Sequence, residues 1–371
     1  MAESTRHQPD VPALVDQVID GAVRRRASDI HVEPTADGYE VRYRVDGLLE
    51  AVAHHDQATG RSVVTRLMVL AHLLTYRLDV PQEGRLTVTP PSAPRGQPLD
   101  LRLAVMPTTH GLRAAVRLPA DLVQPRTLAE LGLPAPVLAG LERFAAADAG
   151  MLLLSGPAGS GKTTTIYALL RRIAEVSPGS SIIALEDPVE RDLSGVTQIE
   201  VQPFGELTYE RALRSILRQD PQVLMLGEIR DAATASLAVQ AALSGHRLIS
   251  TLHAATPGGA IARLYEMGLE PYQLTSAVFG VVAQRLLRRR SSDTGGSGAR
   301  FAGRVPAAEL VVIDGPVREA MLRRADADTL RSIYEGQPGY VPMRRAAAEL
   351  VASGLTDEDE VRRVFGSGLH T

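Results

Sequence analysis

The chain contains no cysteine, no tryptophan and no asparagine, and a single lysine among its 40 basic residues. Without cysteine there is no disulfide, no thiol nucleophile and no Cys-ligated zinc or iron–sulfur centre. Aromatic residues make up only 4% of the sequence, so stacking platforms for single-stranded nucleic acid are scarce. A formal net charge of -3 argues against attraction to nucleic acid or acidic lipid through bulk charge, leaving only local basic patches. No segment approaches the ~18–20 apolar residues that cross a bilayer. The polar start, Met1 to Asp10, has no signal-peptide core. These absences predict a cytoplasmic protein. The 371 residues, 44% hydrophobic and 22% charged, suit an ordinary globular chain of two or three domains.

The other 39 basic residues are arginines, a bias that reads as genomic base composition replacing lysine wherever a generic cation serves. The one exception is therefore informative. Lys162 lies in Gly156-Pro157-Ala158-Gly159-Ser160-Gly161-Lys162-Thr163-Thr164, a G-x-x-x-x-G-K-T phosphate-binding loop. Arginine does not substitute for a compact ammonium there. Met151 to Leu154 reads as a buried strand before the loop. Thr163 onward reads as a helix through Ile166, Leu169, Leu170 and Ile173, which completes the context the motif requires. Glycines let backbone N–H groups wrap phosphates, and the helix N-terminus adds its partial positive charge. Lys162 is expected to bridge the β- and γ-phosphates and the Thr163 hydroxyl to hold Mg²⁺. ATP and Mg²⁺ are the cofactors implied.

Val11, Leu14, Val15, Val18, Ile19 and Ala22 recur at helical spacing after Asp10, predicting a helix over 11–26. Asp29–Glu33 and Tyr39–Val45 read as strands, a second helix runs from Val63 to Leu74, and strands follow at 85–88, 99–105 and 112–118. After a tail over 1–10, residues 11–118 are thus expected to form a small α+β domain. A linker is expected over 119–126. Over 127–287 apolar strands alternate with helices, as in a covered parallel sheet. Residues 288–300 read as a flexible loop, and 301–371 as a C-terminal subdomain of a short strand plus helices.

Pro221 to Asp231 presents another apolar strand ending in acid, in the place of the second nucleotide-sensing strand. Gly227 stands where an Mg²⁺-supporting Asp is usual, and Glu228 is the candidate general base. Glu186, Asp187 and Glu190 follow an earlier strand and are candidates for the missing metal carboxylate or for positioning water. Pro188 holds their turn. His246 and His253 flank the strand ending Ser250-Thr251-Leu252, where a histidine can sense the γ-phosphate or orient water.

Taken in order, these segments resemble the ATPases that drive type II secretion and type IV pilus assembly. The likeness covers residues from about 12 to 365. It begins with Ala27-Ser28-Asp29-Ile30-His31-Val32-Glu33-Pro34 and Val41 to Gly47. The phosphate loop, the aspartate box Glu186–Glu190 and the variant Walker B Leu217–Asp231 follow, in which the glycine is the family's own habit. The histidine box Ser244–His253 and Gln284-Arg285-Leu286 complete it. The resemblance implies a RecA-like P-loop core, a preceding PAS-like α+β domain and a mostly helical C-terminal subdomain. It also implies a homohexameric ring at the cytoplasmic face of the membrane, associated through a polytopic inner-membrane platform protein; no nucleic-acid partner is expected, given the scarce aromatics. Arginines of the N-terminal domain, here Arg85, Arg102 and less directly Arg117, would then stabilise the phosphates, a task that suits the bidentate guanidinium.

Two departures matter. Assembly ATPases usually carry four cysteines holding zinc after the Gln-Arg-Leu segment, whereas residues 288–300 here are free of cysteine, so no zinc is expected. The chain is also expected to lack the extra N-terminal domain by which many relatives dock. The resemblance favours fibre assembly; its rivals are a retraction ATPase and a RecA-like nucleic-acid motor.

Overall fold

The computed structural model describes residues 10–119, 127–201, 205–291 and 300–366. The expected tail (bar Asp10), most of the expected linker, residues 292–299 and the last five residues lie outside them. The chain divides between Gln124 and Pro125 into two compact units.

The first unit opens with α1 (Val11–Arg24), capped by the Asp10 carboxylate, which accepts a bond from the Ala13 N–H. It continues with β1 (Asp29–Pro34), β2 (Tyr39–Val45), β3 (Leu48–His55), α2 (Gln57–Leu70), β4 (Gln82–Val88), β5 (Leu99–Thr108) and β6 (Gly111–Arg117). The six strands form one antiparallel sheet in the order β3-β2-β1-β6-β5-β4. Alternation sends Ile30, Val32, Val41, Tyr43, Leu101, Leu103 and Val116 inward against Val15, Ile19 and Ala22 of α1 and Val64 and Leu67 of α2. The opposite phase of the same strands carries charge. Strand β3 was not anticipated; it is an edge strand with little burial, so it lacks the alternation that reveals a half-buried strand.

That charged phase aligns one row across five strands. Arg44 faces Asp29, Asp29 faces Arg117, Arg117 faces Arg102 and Arg102 faces Arg85. Three arginines stand side by side at one end. Like charges directly opposite one another destabilise a sheet; Asp29 offsets part of the row through its ion pairs with Arg117 at 3.2 Å and Arg44 at 3.5 Å.

The second unit contains α3 (Ala135–Ala145), β7 (Gly150–Ser155), α4 (Lys162–Val176), β8 (Ile182–Glu186), β9 (Thr197–Glu200), α5 (Tyr209–Ile216), β10 (Val223–Leu226), α6 (Ala232–Leu243) and β11 (Arg247–Leu252). Then come α7 (Pro257–Glu266), α8 (Pro271–Ala277), β12 (Val278–Arg290), β13 (Phe301–Val312), α9 (Gly315–Leu322), α10 (Ala327–Tyr334), α11 (Met343–Ala352) and α12 (Glu358–Phe365). Its sheet runs β13-β12-β7-β11-β10-β8-β9, parallel except for β13. Strands β7, β8, β10 and β11 are buried along nearly their whole length, because apolar helices cover both faces. This is the mixed α/β class with a RecA-like core that the sequence predicts.

Two details differ from the expectation. Arg288, Arg289 and Arg290, placed in a loop from sequence, belong to β12. The strand expected to be short is 12 residues long and closes the core sheet as β13. Glycine and serine drew the loop boundary too early; the arginine run before them is a paired strand. Among the described residues no helix is long and apolar enough to cross a membrane.

Candidate nucleotide and catalytic site

Parallel strands put their carboxyl ends on one edge, where the phosphate loop, Glu186, Asp187, Glu228 and His253 lie. The phosphate loop links the end of β7 to the start of α4. Gly156, Gly159 and Gly161 have φ of +151°, +74° and +89°, values that side chains rarely adopt. Gly161 precedes α4 without any side-chain cap, so the helix's first N–H groups are offered to a ligand. Pro157, Ala158 and Gly159 are exposed, and Ser160 and Lys162 are buried. The Lys162 ammonium donates to the carbonyls of Gly156 at 2.8 Å and Pro157 at 3.0 Å. Burial and the neighbouring Arg285 cation push it below its ordinary value; a bound phosphate would act the other way.

These residues fit a magnesium nucleotide. The Ser160 hydroxyl is buried without a hydrogen-bond partner, an orphan donor that an anion in the loop can satisfy. Among the described residues no group of three or more His, Asp or Glu side chains is arranged to hold a metal. Mg²⁺ in nucleotide sites is commonly held by one or two protein groups with phosphate oxygens and water. Thr163 and Thr164, both half-buried in the first turn of α4, are placed to provide the hydroxyl.

The acids divide by environment. Glu228 follows β10 and is half-buried. Its Oε2 lies 3.0 Å from His253 Nε2, and its other oxygen pairs with Arg230. Arg230 also reaches Asp187, at 3.5 Å. Thus Glu228, His253, Arg230 and Asp187 form one cluster. Glu186 is different: it is buried, and it accepts from the Tyr167 hydroxyl and from Gln198 Nε2 at 2.9 Å. Burial raises its carboxyl above the ordinary range despite those bonds. Glu190 is exposed beyond Pro188. Asp231 caps α6 by accepting from the Thr234 N–H at 2.8 Å.

Burial, Lys162 and Arg230 hold the His253 imidazole below its usual value. A carboxylate at 3.0 Å would normally raise it. Here Arg230 already compensates Glu228, so burial, together with the two cations, prevails. The contact is an imidazole–carboxylate hydrogen bond rather than an ion pair near neutral pH.

The expectation for His246 is corrected. Its carbonyl accepts from Gly150 N–H at 3.1 Å, at the amino end of β7, and its Nδ1 lies 2.9 Å from the Ala241 carbonyl. It therefore sits across the sheet from the phosphate loop, about 20 Å away at ~3.3 Å per strand residue. Arg85 and Arg102 lie on β4 and β5 of the first unit, Arg85 exposed and Arg102 half-buried.

Three further residues shape the site: Tyr209, which lies in no motif, and Gln284 and Arg285, to which the sequence assigns no role. Tyr209, on α5, explains the glycine in the variant Walker B. A Cβ at Gly227 would lie 2.6 Å from the Tyr209 hydroxyl, closer than real Cβ contacts allow. Arg285 brings a second, half-buried cation near Lys162. Gln284 bonds directly to the loop. The Gln-Arg-Leu segment was visible in the sequence, but nothing in it showed which part of the chain it touches.

The arrangement is that of a nucleotide-hydrolysing P-loop site, and a sequence profile described as "Type II/IV secretion system protein" matches residues 3–363. The chain belongs to that family. The type II secretion system protein HxcR of Pseudomonas aeruginosa is 38% identical over 374 residues, covering 97% of this chain and 78% of that protein. The type II secretion system ATPase E of Vibrio cholerae is 40% identical over 280 residues, 76% of this chain and 54% of that one. Among solved structures, the ATPase DotB of Legionella pneumophila superposes with a TM-score of 0.76 at 21% identity, over 96% of this chain and 97% of that one; this speaks to fold. The pilus retraction motor PilT, solved with ADP, gives 0.63 at 25% identity over 94% and 96%. As a secretion ATPase of this family, the chain is an ATP-hydrolysing enzyme.

Proposed function

We propose that the chain is the homohexameric motor of a type II secretion pseudopilus or type IV pilus, working at the cytoplasmic face through a polytopic membrane platform protein. The observation that carries this reading is the Glu228–His253 contact at the same sheet edge as the phosphate loop, in a chain whose curated relatives are named as type II secretion proteins.

The residues divide the work. Backbone N–H groups from Gly156 to Thr164 and the Lys162 ammonium grip the triphosphate. Thr163 and Asp187 would hold Mg²⁺, which when bound would supply Lewis-acid charge on the phosphate oxygens. Glu228 accepts the proton of the attacking water. His253 holds the Glu228 carboxylate in place, and Arg230 sets the spacing between Glu228 and Asp187. Glu186 acts from behind, locking the end of β8 through Tyr167 and Gln198. Arg85, Arg102 and Arg117, on the first unit, are the arginines that the family resemblance assigns to the phosphates; such charge is worth ~10³-fold or more in related NTPases.

A strain lacking the gene, complemented with wild type, Lys162→Ala or Glu228→Gln, tests the proposal. Wild type alone restores the secreted substrate or surface fibre. Fibres that persist or increase without the gene would instead assign retraction, the activity named for PilT. ATPase activity that single-stranded DNA stimulates would assign a nucleic-acid motor.

A further inference from the structure

The phosphate loop is held at Ser160 by a residue 124 positions away. Gln284, on β12, is 3% exposed. Its Nε2 donates to the Ser160 carbonyl at 2.8 Å, and its Oε1 accepts the Thr165 hydroxyl at 2.9 Å. One amide thus bonds the middle of the loop and the first turn of α4 at once.

The loop glycines fit around it. A Cβ at Gly156 would lie 2.6 Å from the backbone carbonyl oxygen of Gln284, and one at Gly161 would lie 2.7 Å from its side-chain Nε2. The spacing of these glycines therefore serves β12 as well as the left-handed backbone. In a trans peptide the C=O and the following N–H point in opposite directions. By fixing the Ser160 carbonyl against β12, Gln284 turns the Gly161 N–H to the other side of that peptide. An amide offers a donor at one end and an acceptor at the other, in this order, at every ordinary pH.

We infer that Gln284 is a positioning residue for nucleotide: it does not touch the phosphates but sets the orientation of the peptide groups that do. This rests on the loop being the nucleotide site. Because the role is directional, its signature differs from that of simple packing. Methionine fills similar volume and forms neither bond. Glutamate keeps the shape, loses the donor when ionised, and recovers an O–H donor with a carbonyl acceptor when protonated.

The test is calorimetric titration of Mg–ADP into the purified full chain. Gln284→Met should weaken binding by about tenfold or more, as expected for two lost hydrogen bonds. Its unliganded melting temperature should change far less than its affinity. Gln284→Glu should bind worst near pH 8 and recover toward about pH 6, across the range in which buried carboxylates titrate, while wild type stays level. Thr165→Val should add little on top of Gln284→Met, since both remove the same bridge. Wild-type affinity in Gln284→Met, a level pH response in Gln284→Glu, or full additivity with Thr165→Val would overturn the inference and leave the nucleotide site standing. Absence of Mg–ADP binding by wild type would overturn the site and the inference with it.

Discussion

Glu228 Oε2 lies 3.0 Å from His253 Nε2, across the tips of β10 and β11. The pair joins two segments that are 25 residues apart in sequence and adjacent in the sheet. Glu228→Gln keeps the shape and removes the basic oxygen. It should retain Mg–ADP affinity and lose about 10²- to 10⁴-fold in kcat. Steady-state turnover at the wild-type rate would remove Glu228 from the role of base.

The lowered value of His253 gives a pH prediction with a definite sign. A histidine held below its ordinary value stays neutral through pH 7 and gains its proton only on the acid side of 6.5. The folded state then binds fewer protons than the unfolded one below that pH, so this group costs stability as pH falls and costs nothing above it. Turnover should be level near neutrality and decline on the acid side, below the usual histidine midpoint. Replacing Arg230 with Gln removes one of the cations that press on the ring, so the acid limb should move up in pH. A pH profile of kcat for both proteins decides this; an unmoved limb would refute the electrostatic account.

Gly227 and Tyr209 offer a test of why the second acid is missing. Gly227→Ala drives a methyl against the phenol oxygen and should cost ~1–3 kcal/mol, as overpacking does. Tyr209→Phe removes the oxygen in the way. The next atom met is the Leu185 carbonyl at 3.4 Å, an ordinary contact. The double variant should therefore recover most of the loss in a denaturant melt. A double variant as unstable as the sum of the two singles would mean that something other than the hydroxyl excludes a side chain.

Much of this site was legible in advance because its parts are local. A glycine spacing, a lysine and an apolar strand define the phosphate loop within a dozen residues, and Glu228 and His253 each end a recognisable buried strand. The contacts that tune the site were not legible. Tyr209 meets Gly227 and Gln284 meets Ser160 only after the sheet has formed, and no periodicity encodes which helix side chain faces which loop. His246 failed for a related reason: the motif places two histidines near one strand, and only strand direction shows which end carries the nucleotide. The edge strand β3 escaped because alternation reports burial, and β3 has little.

The arginine row on the first unit predicts opposite effects on stability and activity. Arg102 stands between Arg85 and Arg117, so Arg102→Gln relieves two like-charge contacts. The melting temperature should stay level or rise, by the ~0.2–1 kcal/mol such pairs carry. Turnover should fall if the row serves phosphate. Unchanged kcat in Arg102→Gln and in Arg85→Gln would end that assignment.

Residues 288–300 follow the Gln-Arg-Leu segment, where the family resemblance implies a zinc-bound element and this chain has no cysteine. A buried carboxylate ties the structure at the start of this stretch. Glu360, on α12, is 1% exposed. It accepts from the Arg288 backbone N–H and Nε at 2.9 Å each, and from both ends of the Arg363 guanidinium, at 2.7 and 2.6 Å. Burial pushes its carboxyl up, but these charged donors outweigh that and hold it at about 2. The sign follows: the stabilisation is present above the unfolded value of 4.5 and is lost as pH falls from there toward about 2. Glu360→Gln leaves two guanidinium groups without their carboxylate; because these are 39% and 21% exposed, the cost is about 1–3 kcal/mol, below that of a fully buried pair. Hydrogen exchange should show α12 and the β12–β13 hairpin opening more often in the variant, while α4 and the phosphate loop keep their protection. Equal protection of α12 in both proteins would show that its apolar contacts, Val361 with Leu287, Val305 and Met343, hold it without the ion cluster.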